Sequence, residues 1–169
     1  MTDTISRVTT YLDALGIPFR TIAHPPANTM ADCAVNDRVL GALTPKNIFL
    51  TTKNGKRFYL CLTRPDARFR TADISKQAGS SRLSFAPEEK LYEYLRCHGG
   101  SASPLGLIFD EARATGLIVD RALLDVPTLA FHPCDNTRTV ALPSDAFFNV
   151  FLPSLPLQPV FVEIHDFLD

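Results

Sequence analysis

Four short stretches of this sequence combine polar side chains with backbone that cannot continue a regular element. Each contains a proline, and each falls at the end of a helix or strand expected from hydrophobic periodicity. Loops in such positions are where a rigid scaffold usually carries its reactive groups. The four stretches are His24-Pro25-Pro26, Thr44-Pro45-Lys46-Asn47, Gly100-Ser101-Ala102-Ser103-Pro104, and His132-Pro133 with Asn136 shortly after it.

Two of these stretches have side chains or backbone suited to holding an anion. Lys46 opens an expected strand, and an ammonium group at a strand mouth can anchor a phosphate. Gly100 permits close backbone approach and Pro104 stiffens the exit, so N–H groups between them could face a developing oxyanion. Taken alone, the same residues also fit a solvated hairpin lysine and a helix stop followed by a turn.

The elements that must position these stretches follow from hydrophobic spacing, capping residues and turn residues. Thr29 and Asp32 mark one helix start, and Asn54-Gly55 marks a tight hairpin turn. The predicted helices are 5–15, 30–40, 71–78, 87–98 and 144–152, and the predicted strands are 19–23, 47–52, 57–63, 82–85, 105–109, 117–120, 128–131, 137–142 and 160–164.

Several of these strands are joined by short connections. The strands 47–52 and 57–63 form a hairpin, and 105–109 with 117–120 is expected to form a second one. The pattern predicts an α+β fold with a mixed, largely antiparallel sheet surrounded by helices. We expect residues 1–169 to form a single domain.

The composition is that of a soluble globular protein, with 46% hydrophobic and 21% charged residues. We expect no membrane segment and a cytoplasmic location. The net charge is -1, but residues 44–100 hold 11 Lys and Arg against 5 Asp and Glu. This asymmetry suits brief contact with one end of an RNA, although charge alone does not separate such a surface from an ordinary solvated one.

Cofactor and metal motifs are not expected in this chain. The four cysteines (Cys33, Cys61, Cys97 and Cys134) are far apart in the sequence, without the C-x-x-C pair of a zinc or redox site. No glycine-rich phosphate-binding motif follows a predicted strand. We therefore expect neither a nucleotide cofactor nor a metal ion.

Taken together, the motifs resemble the YbaK/ProX family, the editing domains associated with prolyl-tRNA synthetases and their free-standing relatives. The resemblance runs from His24 to about Phe148, and the order and spacing of its motifs are more specific than any single one. They are His-Pro-Pro at 24–26, Lys-Asn-Ile-Phe-Leu at 46–50, Leu-Ser-Phe at 83–85, G-x-x-x-P at 100–104, Leu-Gly-Leu-Ile at 105–108, and Phe-His-Pro at 131–133 with Asn136-Thr137.

The resemblance implies a role for each matching residue. Lys46 would hold the terminal ribose or phosphate of a tRNA, the Gly100 loop would grip the scissile ester and water, and His132 would bond the substrate amine or a water. These three are the candidate catalytic residues. The candidate substrate-binding residues are His24, Asn47, Ser101, Ala102, Ser103, Pro104 and Asn136.

The family resemblance also implies a substrate, a mechanism and partners. The expected reaction is substrate-assisted deacylation of mischarged tRNA(Pro), most of all Ala-tRNA(Pro), with a prolyl-tRNA synthetase as a further partner. Residues 27–30 (Ala-Asn-Thr-Met) depart from the more apolar and acidic run expected after His-Pro-Pro, in a region that helps set pocket size in the family.

Other functions stay open at this stage. The substrate could be a cysteinyl, seryl or threonyl tRNA, or the domain could bind tRNA or a synthetase without hydrolysis. A hydrolase with Cys134 as nucleophile beside His132 lacks a third orienting residue. A metal enzyme would use scattered histidines that lack ligand spacing, namely His24, His98, His132 and His165.

Overall fold

The structure, a computed structural model, describes residues 2–165 and contains helices and strands intermixed along that range. The helices are α1 (Thr2–Ala14), α2 (Met30–Leu40), α3 (Thr71–Ala78), α4 (Glu88–Leu95) and α5 (Ser144–Ala146). The strands are β1 (Arg20–Ala23), β2 (Lys46–Thr51), β3 (Phe58–Thr63), β4 (Ser84–Phe85), β5 (Thr115–Asp120), β6 (Thr128–Phe131), β7 (Arg138–Pro143) and β8 (Val160–Val162). Among these residues, none of the helices has the length and apolar composition needed to cross a bilayer.

The strands form two sheets. The first has the order β1-β7-β6 and is antiparallel throughout. The second has the order β4-β2-β3-β5-β8, with antiparallel pairs from β4 to β3 and parallel pairs from β3 to β8. This confirms the predicted α+β class, with two sheets in place of the single sheet expected.

The two sheets meet just before β2. The backbone N–H of Leu43 donates to the carbonyl of Thr128 at 3.0 Å, and Ala130 donates back to the carbonyl of Leu43 at 2.9 Å. This isolated parallel bridge places the start of β2 beside β6. As a result, the chain around Lys46 and the chain after β6 lie at one junction.

The second predicted hairpin was wrong. Residues 105–109 belong to a 3₁₀ helix, Pro104–Phe109, and β5 pairs in parallel with β3 and β8. The hydroxyl of Ser103 accepts a hydrogen bond from Leu105 N and so caps this helix, with Pro104 at its first position. A short buried apolar run fits a strand or a helix equally well, so periodicity alone could not separate the two.

The first hairpin is confirmed, with a turn that needs only one left-handed residue. Gly55 has φ +70°, and its N–H donates to the carbonyl of Thr52 at 2.9 Å. The Asn54 side chain accepts from Lys56 N at 3.0 Å, which closes the turn. The turn sets the register in which Lys46 pairs with Thr63 at the other end of the hairpin.

Helix α4 ends earlier than expected. It stops at Leu95, where Arg96 takes the left-handed conformation with φ 57°, and Gly99 begins a separate 3₁₀ turn, Gly99–Ser101. The side chain of Leu95 is fully buried in the main apolar core. The residues after the helix therefore form a tight turn whose position is set by packing.

Candidate functional site

A pocket of about 140 Å³ lies where the start of β2, the first half of α2 and the Gly99–Ser101 turn approach His132. Five of the ten predicted site residues line it, namely Lys46, Asn47, Gly100, Ala102 and His132. The other lining residues are Ala27, Asn28, Thr29, Met30, Cys33, Thr44, Pro45 and Gly99. The three residues predicted as catalytic therefore face one cavity.

Lys46 is held at the mouth of β2. The preceding Thr44 is buried and fixed from α2, because its N–H and hydroxyl donate to the two carboxylate oxygens of Asp37 at 2.8 and 2.6 Å. Burial raises the pKa of Asp37 above its ordinary value, and the hydrogen bonds from Thr44 make this rise smaller. The half-buried Lys46 ammonium donates to Ala67 O at 3.2 Å. Since an ammonium has three N–H groups, this bond leaves capacity for an anionic ligand.

Asn47 brings an unsatisfied acceptor to the pocket. Its amide nitrogen donates to Pro45 O at 3.1 Å, which fixes the orientation of the side chain. Its Oδ1 is buried and has no hydrogen-bond partner among the described residues. Buried polar atoms are nearly always paired, so an unpaired acceptor in a pocket indicates a place for a ligand donor.

His132 presents a neutral ring with an acceptor nitrogen. The residue is 6% exposed, and its Nδ1 lies 2.8 Å from the carbonyl of Arg138. A carbonyl only accepts, so Nδ1 carries the proton and Nε2 carries the lone pair in the neutral ring. Burial lowers the pKa of His132 below its ordinary value of 6.5, against the smaller raising effect of the Arg138 bond. At neutral pH the Nε2 atom can accept from a substrate amine or a water.

Cys33 is a pocket residue that sequence reasoning missed. Its Sγ lies 3.8 Å from His132 Nε2, and burial raises the pKa of its thiol to about 11. The thiol is therefore protonated at neutral pH and can donate to the ring. The phase of α2 could have revealed it, because a helix beginning after Thr29 places Met30, Cys33 and Asp37 on one face.

Cys134, the alternative nucleophile suggested by the sequence, makes a different contact. Its Sγ donates to the carbonyl of Leu95 at 3.5 Å, and neither residue lines the pocket. A hydrogen bond with Cys97 and burial raise the pKa of this thiol. A protonated thiol directed at a backbone carbonyl is poorly suited to nucleophilic attack.

Gly100 lies against a pair of asparagines at the pocket rim. Asn136 Nδ2 donates to Asn28 Oδ1 at 2.7 Å, and a Cβ on Gly100 would lie 3.3 and 3.2 Å from these two atoms. The backbone also ties the two loops, since Ala27 N donates to Asn136 O at 2.9 Å. Asn136 is therefore adjacent to the pocket, and a side chain at position 100 would require the asparagine pair to shift by a few tenths of an ångström.

Three other predicted residues shape the loop rather than line the pocket. The Ser101 hydroxyl bonds the backbone N and O of His98, both at 3.1 Å, and the Ser103 hydroxyl caps the next helix at Leu105 N. Both serines and Pro104 are buried. Their contact with a substrate stays a prediction, and what the structure shows is that they hold Gly100 and Ala102 in place.

His24 supports the pocket from behind His132. Its Nε2 lies 2.7 Å from the Thr139 hydroxyl, and its ring centroid lies 5.9 Å from that of His132. The other two histidines are placed elsewhere, His98 stacked on Tyr92 and His165 beside Asp73. Within residues 2–165, no group of three or more His, Cys, Asp or Glu side chains is arranged to hold a metal ion.

Fold and site together define an α+β protein with a small pocket at the junction of two sheets. Residues 24–149 match the family model of the aminoacyl-tRNA editing domain. Because the match spans most of the chain, the protein belongs to this family. The resemblance drawn from the sequence motifs is thereby confirmed.

Individual proteins with similar sequences and structures agree with this assignment. The chain is 33% identical over 131 residues to the prolyl-tRNA editing protein ProX of Acetoanaerobium sticklandii, covering 78% of this chain and 80% of that one. It is 29% identical over 153 residues to prolyl-tRNA synthetase associated domain-containing protein 1 of Mus musculus, covering 88% and 89%. A crystal structure of a candidate trans-editing enzyme for prolyl-tRNA synthetase superposes with a TM-score of 0.69 at 16% identity over 93% of this chain and 96% of that one, which shows a shared fold.

Proposed function

We propose that this protein hydrolyses the aminoacyl ester of mischarged tRNA(Pro), with Ala-tRNA(Pro) as its preferred substrate. The observation that carries the proposal is the convergence of Lys46, Gly100 and His132, from three separate segments, on one pocket. The ProX relative, named as a prolyl-tRNA editing protein, supports proline tRNA as the acceptor. A prolyl-tRNA synthetase is the expected protein partner.

In this proposal the pocket mouth binds the end of the tRNA. Lys46 contacts the terminal ribose or phosphate with the N–H groups not used by Ala67 O. The excess of Lys and Arg over residues 44–100 adds a favourable potential for the acceptor end without specifying a sequence. The backbone of Lys46 is held in β2, and its ammonium is bonded to Ala67 O. In this proposal the position of the ammonium sets how far the aminoacyl ester enters the pocket.

The floor of the pocket then holds the aminoacyl group. An α-ammonium carries three N–H donors. Asn47 Oδ1 is an unpaired acceptor for one of them, and His132 Nε2 accepts a second once the ammonium displaces the weak thiol donor Cys33, whose Sγ lies 3.8 Å away. Ala27 and Met30 border the same space. The volume of about 140 Å³ does not by itself separate alanine from proline; in this proposal the side chains of Ala27 and Met30 exclude the proline ring by contact and so protect correctly charged tRNA(Pro).

Hydrolysis requires a positioned water and stabilisation of the oxyanion. Water attacks the ester carbonyl carbon while a hydroxyl of the terminal adenosine assists in removing its proton. Backbone N–H groups of the turn at Gly100 stabilise the tetrahedral oxyanion, except that of Ser101, which already donates to His98 O at 2.8 Å. The bond from the carbonyl carbon to the ribose oxygen breaks, that oxygen takes a proton, and free amino acid and tRNA leave.

A deacylation panel tests the proposal. Purified protein is mixed with tRNA(Pro) charged with Ala, Cys, Ser, Thr or Pro, and we expect Ala-tRNA(Pro) to be hydrolysed fastest and Pro-tRNA(Pro) to persist. Faster loss of another aminoacyl group would change the substrate within the same family. If no charged tRNA is hydrolysed, the protein is a binding module and not a deacylase.

A lysine variant tests the role of the pocket mouth. Lys46→Ala should lower kcat/KM for Ala-tRNA(Pro) by roughly 10–100-fold, the effect of losing one or two charge-assisted hydrogen bonds. Lys76→Ala on α3 removes the same charge away from the pocket lining and should keep wild-type turnover. Circular dichroism would show that both variants are folded, and unchanged turnover in Lys46→Ala would refute the assigned role.

A further inference from the structure

A second cavity, of about 310 Å³, lies at the other end of the five-stranded sheet. It adjoins Thr115, which pairs with Phe58, whereas the first pocket adjoins Lys46, which pairs with Thr63. The two ends of β3 are five residues apart, so the cavities are separated by about 17 Å along the strand. The second cavity therefore has no part in the chemistry proposed for the first.

The wall of this cavity contains a buried hydroxyl with no partner. Thr115 is 4% exposed, and its Oγ1 makes no hydrogen bond to any of the described residues. Its backbone N–H is already used, because it donates to Asp110 Oδ2 at 2.8 Å. A hydroxyl buried in a strand is costly unless it is paired, so a polar ligand in the adjoining cavity would satisfy it.

Two arginines supply positive charge to the same cavity. Arg57 donates through Nη1 to the carbonyl of Arg113 at 3.4 Å, and Arg113 donates through its own Nη1 to the carbonyl of Asp110 at 3.2 Å. Arg57 also stacks over the ring of Tyr59 at 5.5 Å. Both side chains are exposed, and since each guanidinium has five N–H donors, these contacts leave donors for a ligand.

The carboxylate that lines the cavity, Asp110, is already hydrogen-bonded within the protein. Asp110 is 3% exposed, and its two carboxylate oxygens accept from Ala114 N and Thr115 N at 3.2 and 2.8 Å. These bonds close the turn that precedes β5. Two guanidiniums and one carboxylate border the cavity, and the carboxylate is already bonded to the backbone, which favours an anionic ligand over a cation.

Gly116 keeps the space beside these groups open. A Cβ at this position would lie 2.8 Å from the Tyr59 ring and 3.4 Å from Arg57 Nη2. The contact with Arg57 is an ordinary one, but the Tyr59 ring would have to shift. The absence of a side chain thus preserves the position of the Tyr59 ring over which Arg57 stacks.

We infer that this cavity binds a phosphate-type oxyanion, either free inorganic phosphate or the phosphate of a monoester. Arg57 and Arg113 donate to its oxygens, as guanidiniums do in fork geometry, and the Thr115 hydroxyl donates to a further oxygen. The inference is independent of the deacylase proposal, because it rests on a different set of residues.

Binding is measured on the full chain by isothermal titration with inorganic phosphate, and separately with adenosine 5′-monophosphate, at constant ionic strength set by chloride. We expect saturable binding of phosphate that chloride does not reproduce. Saturable binding of the nucleotide, in competition with phosphate, would identify monoesters as the ligand source. Phosphate binding without nucleotide binding would support the oxyanion site and exclude adenosine monoesters as the ligand source.

Variants test whether the binding uses this cavity. Thr115→Val keeps the shape of the strand residue and removes the hydroxyl, and Arg57→Gln removes one guanidinium; each should weaken phosphate binding at least tenfold. Lys53→Gln, in the exposed hairpin turn, removes the same charge and should bind phosphate as the wild type does. The inference would be overturned if the wild type showed no saturable phosphate binding, or if Thr115→Val bound phosphate with wild-type affinity. If Arg57→Gln does not fold, the isosteric Thr115→Val variant still decides the test.

Discussion

Replacing Gly100 by alanine should separate the geometry of the editing pocket from the stability of the fold. The new Cβ would lie 3.2 Å from Asn28 Oδ1 and 3.3 Å from Asn136 Nδ2, and both distances are shorter than the ordinary contact range of 3.4–4 Å. These two atoms are joined by a 2.7 Å hydrogen bond at the pocket rim. The asparagine pair must therefore move by a few tenths of an ångström or part.

The effect on stability should be small because two contributions oppose each other. Loss of one neutral hydrogen bond costs about 0.5–1.5 kcal/mol. Gly100 has no positive φ, so alanine fits its backbone and reduces the entropy of the unfolded chain, which contributes about 0.4–1 kcal/mol in the opposite direction. The free energy of unfolding should change by no more than about 1 kcal/mol.

The effect on turnover should be larger. A displacement of about 1 Å in a catalytic site can cost about 100-fold, so a shift of a few tenths of an ångström at the rim should lower kcat/KM roughly tenfold. If the alanine acts through the asparagine pair, its effect and that of Asn136→Ala will not add in the double variant. Deacylation of Ala-tRNA(Pro) and urea unfolding measure the two quantities on the same preparations.

Gly79→Ala is the matched control with the opposite outcome. Gly79 has φ +67° and no atom within 4 Å of an added Cβ, so alanine there should cost about 1–2 kcal/mol of stability and leave turnover unchanged. Wild-type kcat/KM in Gly100→Ala would refute the reasoning. A loss of stability in Gly100→Ala as large as in Gly79→Ala would refute it equally.

Two further predictions concern the residues that orient the site. Asp37→Ala leaves the buried N–H and hydroxyl of Thr44 without an acceptor, so it should lower the free energy of unfolding in urea by about 1–3 kcal/mol. The control Asp13→Ala, at an exposed carboxylate, should change it little. A loss below about 0.5 kcal/mol in Asp37→Ala would contradict this prediction. Burial lowers the pKa of His132 in the folded chain. As the pH drops below the ordinary value of 6.5, the unfolded chain takes up a proton that the folded chain does not, so the free energy of unfolding decreases as the pH decreases. His132→Asn should lose less stability than the wild type between about pH 7 and about pH 5, and equal losses would contradict the lowered pKa.

Elements with strong local signals could be predicted from the sequence. Helix α2 follows its prediction because Thr29 and Asp32 form a capping box and Gly41 closes the helix with φ +63°. Helix α3 has the bounds expected from its apolar spacing and Gly79. The hairpin is set by Asn54-Gly55, where only Gly55 needs positive φ. In each case a few adjacent residues determine the backbone.

Elements that depend on distant packing could not be predicted in this way. The run 105–109 became a 3₁₀ helix because position 106 packs on the end of α4, where a Cβ would lie 2.4 Å from Leu95 O. The parallel pairing of β5 with β3 brings together chain segments more than 50 residues apart. Spacing of apolar residues contains no information about such a partner.

The pocket itself is a product of these distant contacts. Lys46 takes its place because Leu43 bridges to β6 and Asp37 holds Thr44 from α2, and neither contact is visible from the sequence around the lysine. The motifs could therefore suggest which residues act, but their meeting around one cavity depends on the junction of two sheets. Cys33 shows the same limit, since its contact with His132 joins residues 99 positions apart. A substitution that disturbs the junction should consequently impair the site even where it touches none of the residues lining the pocket.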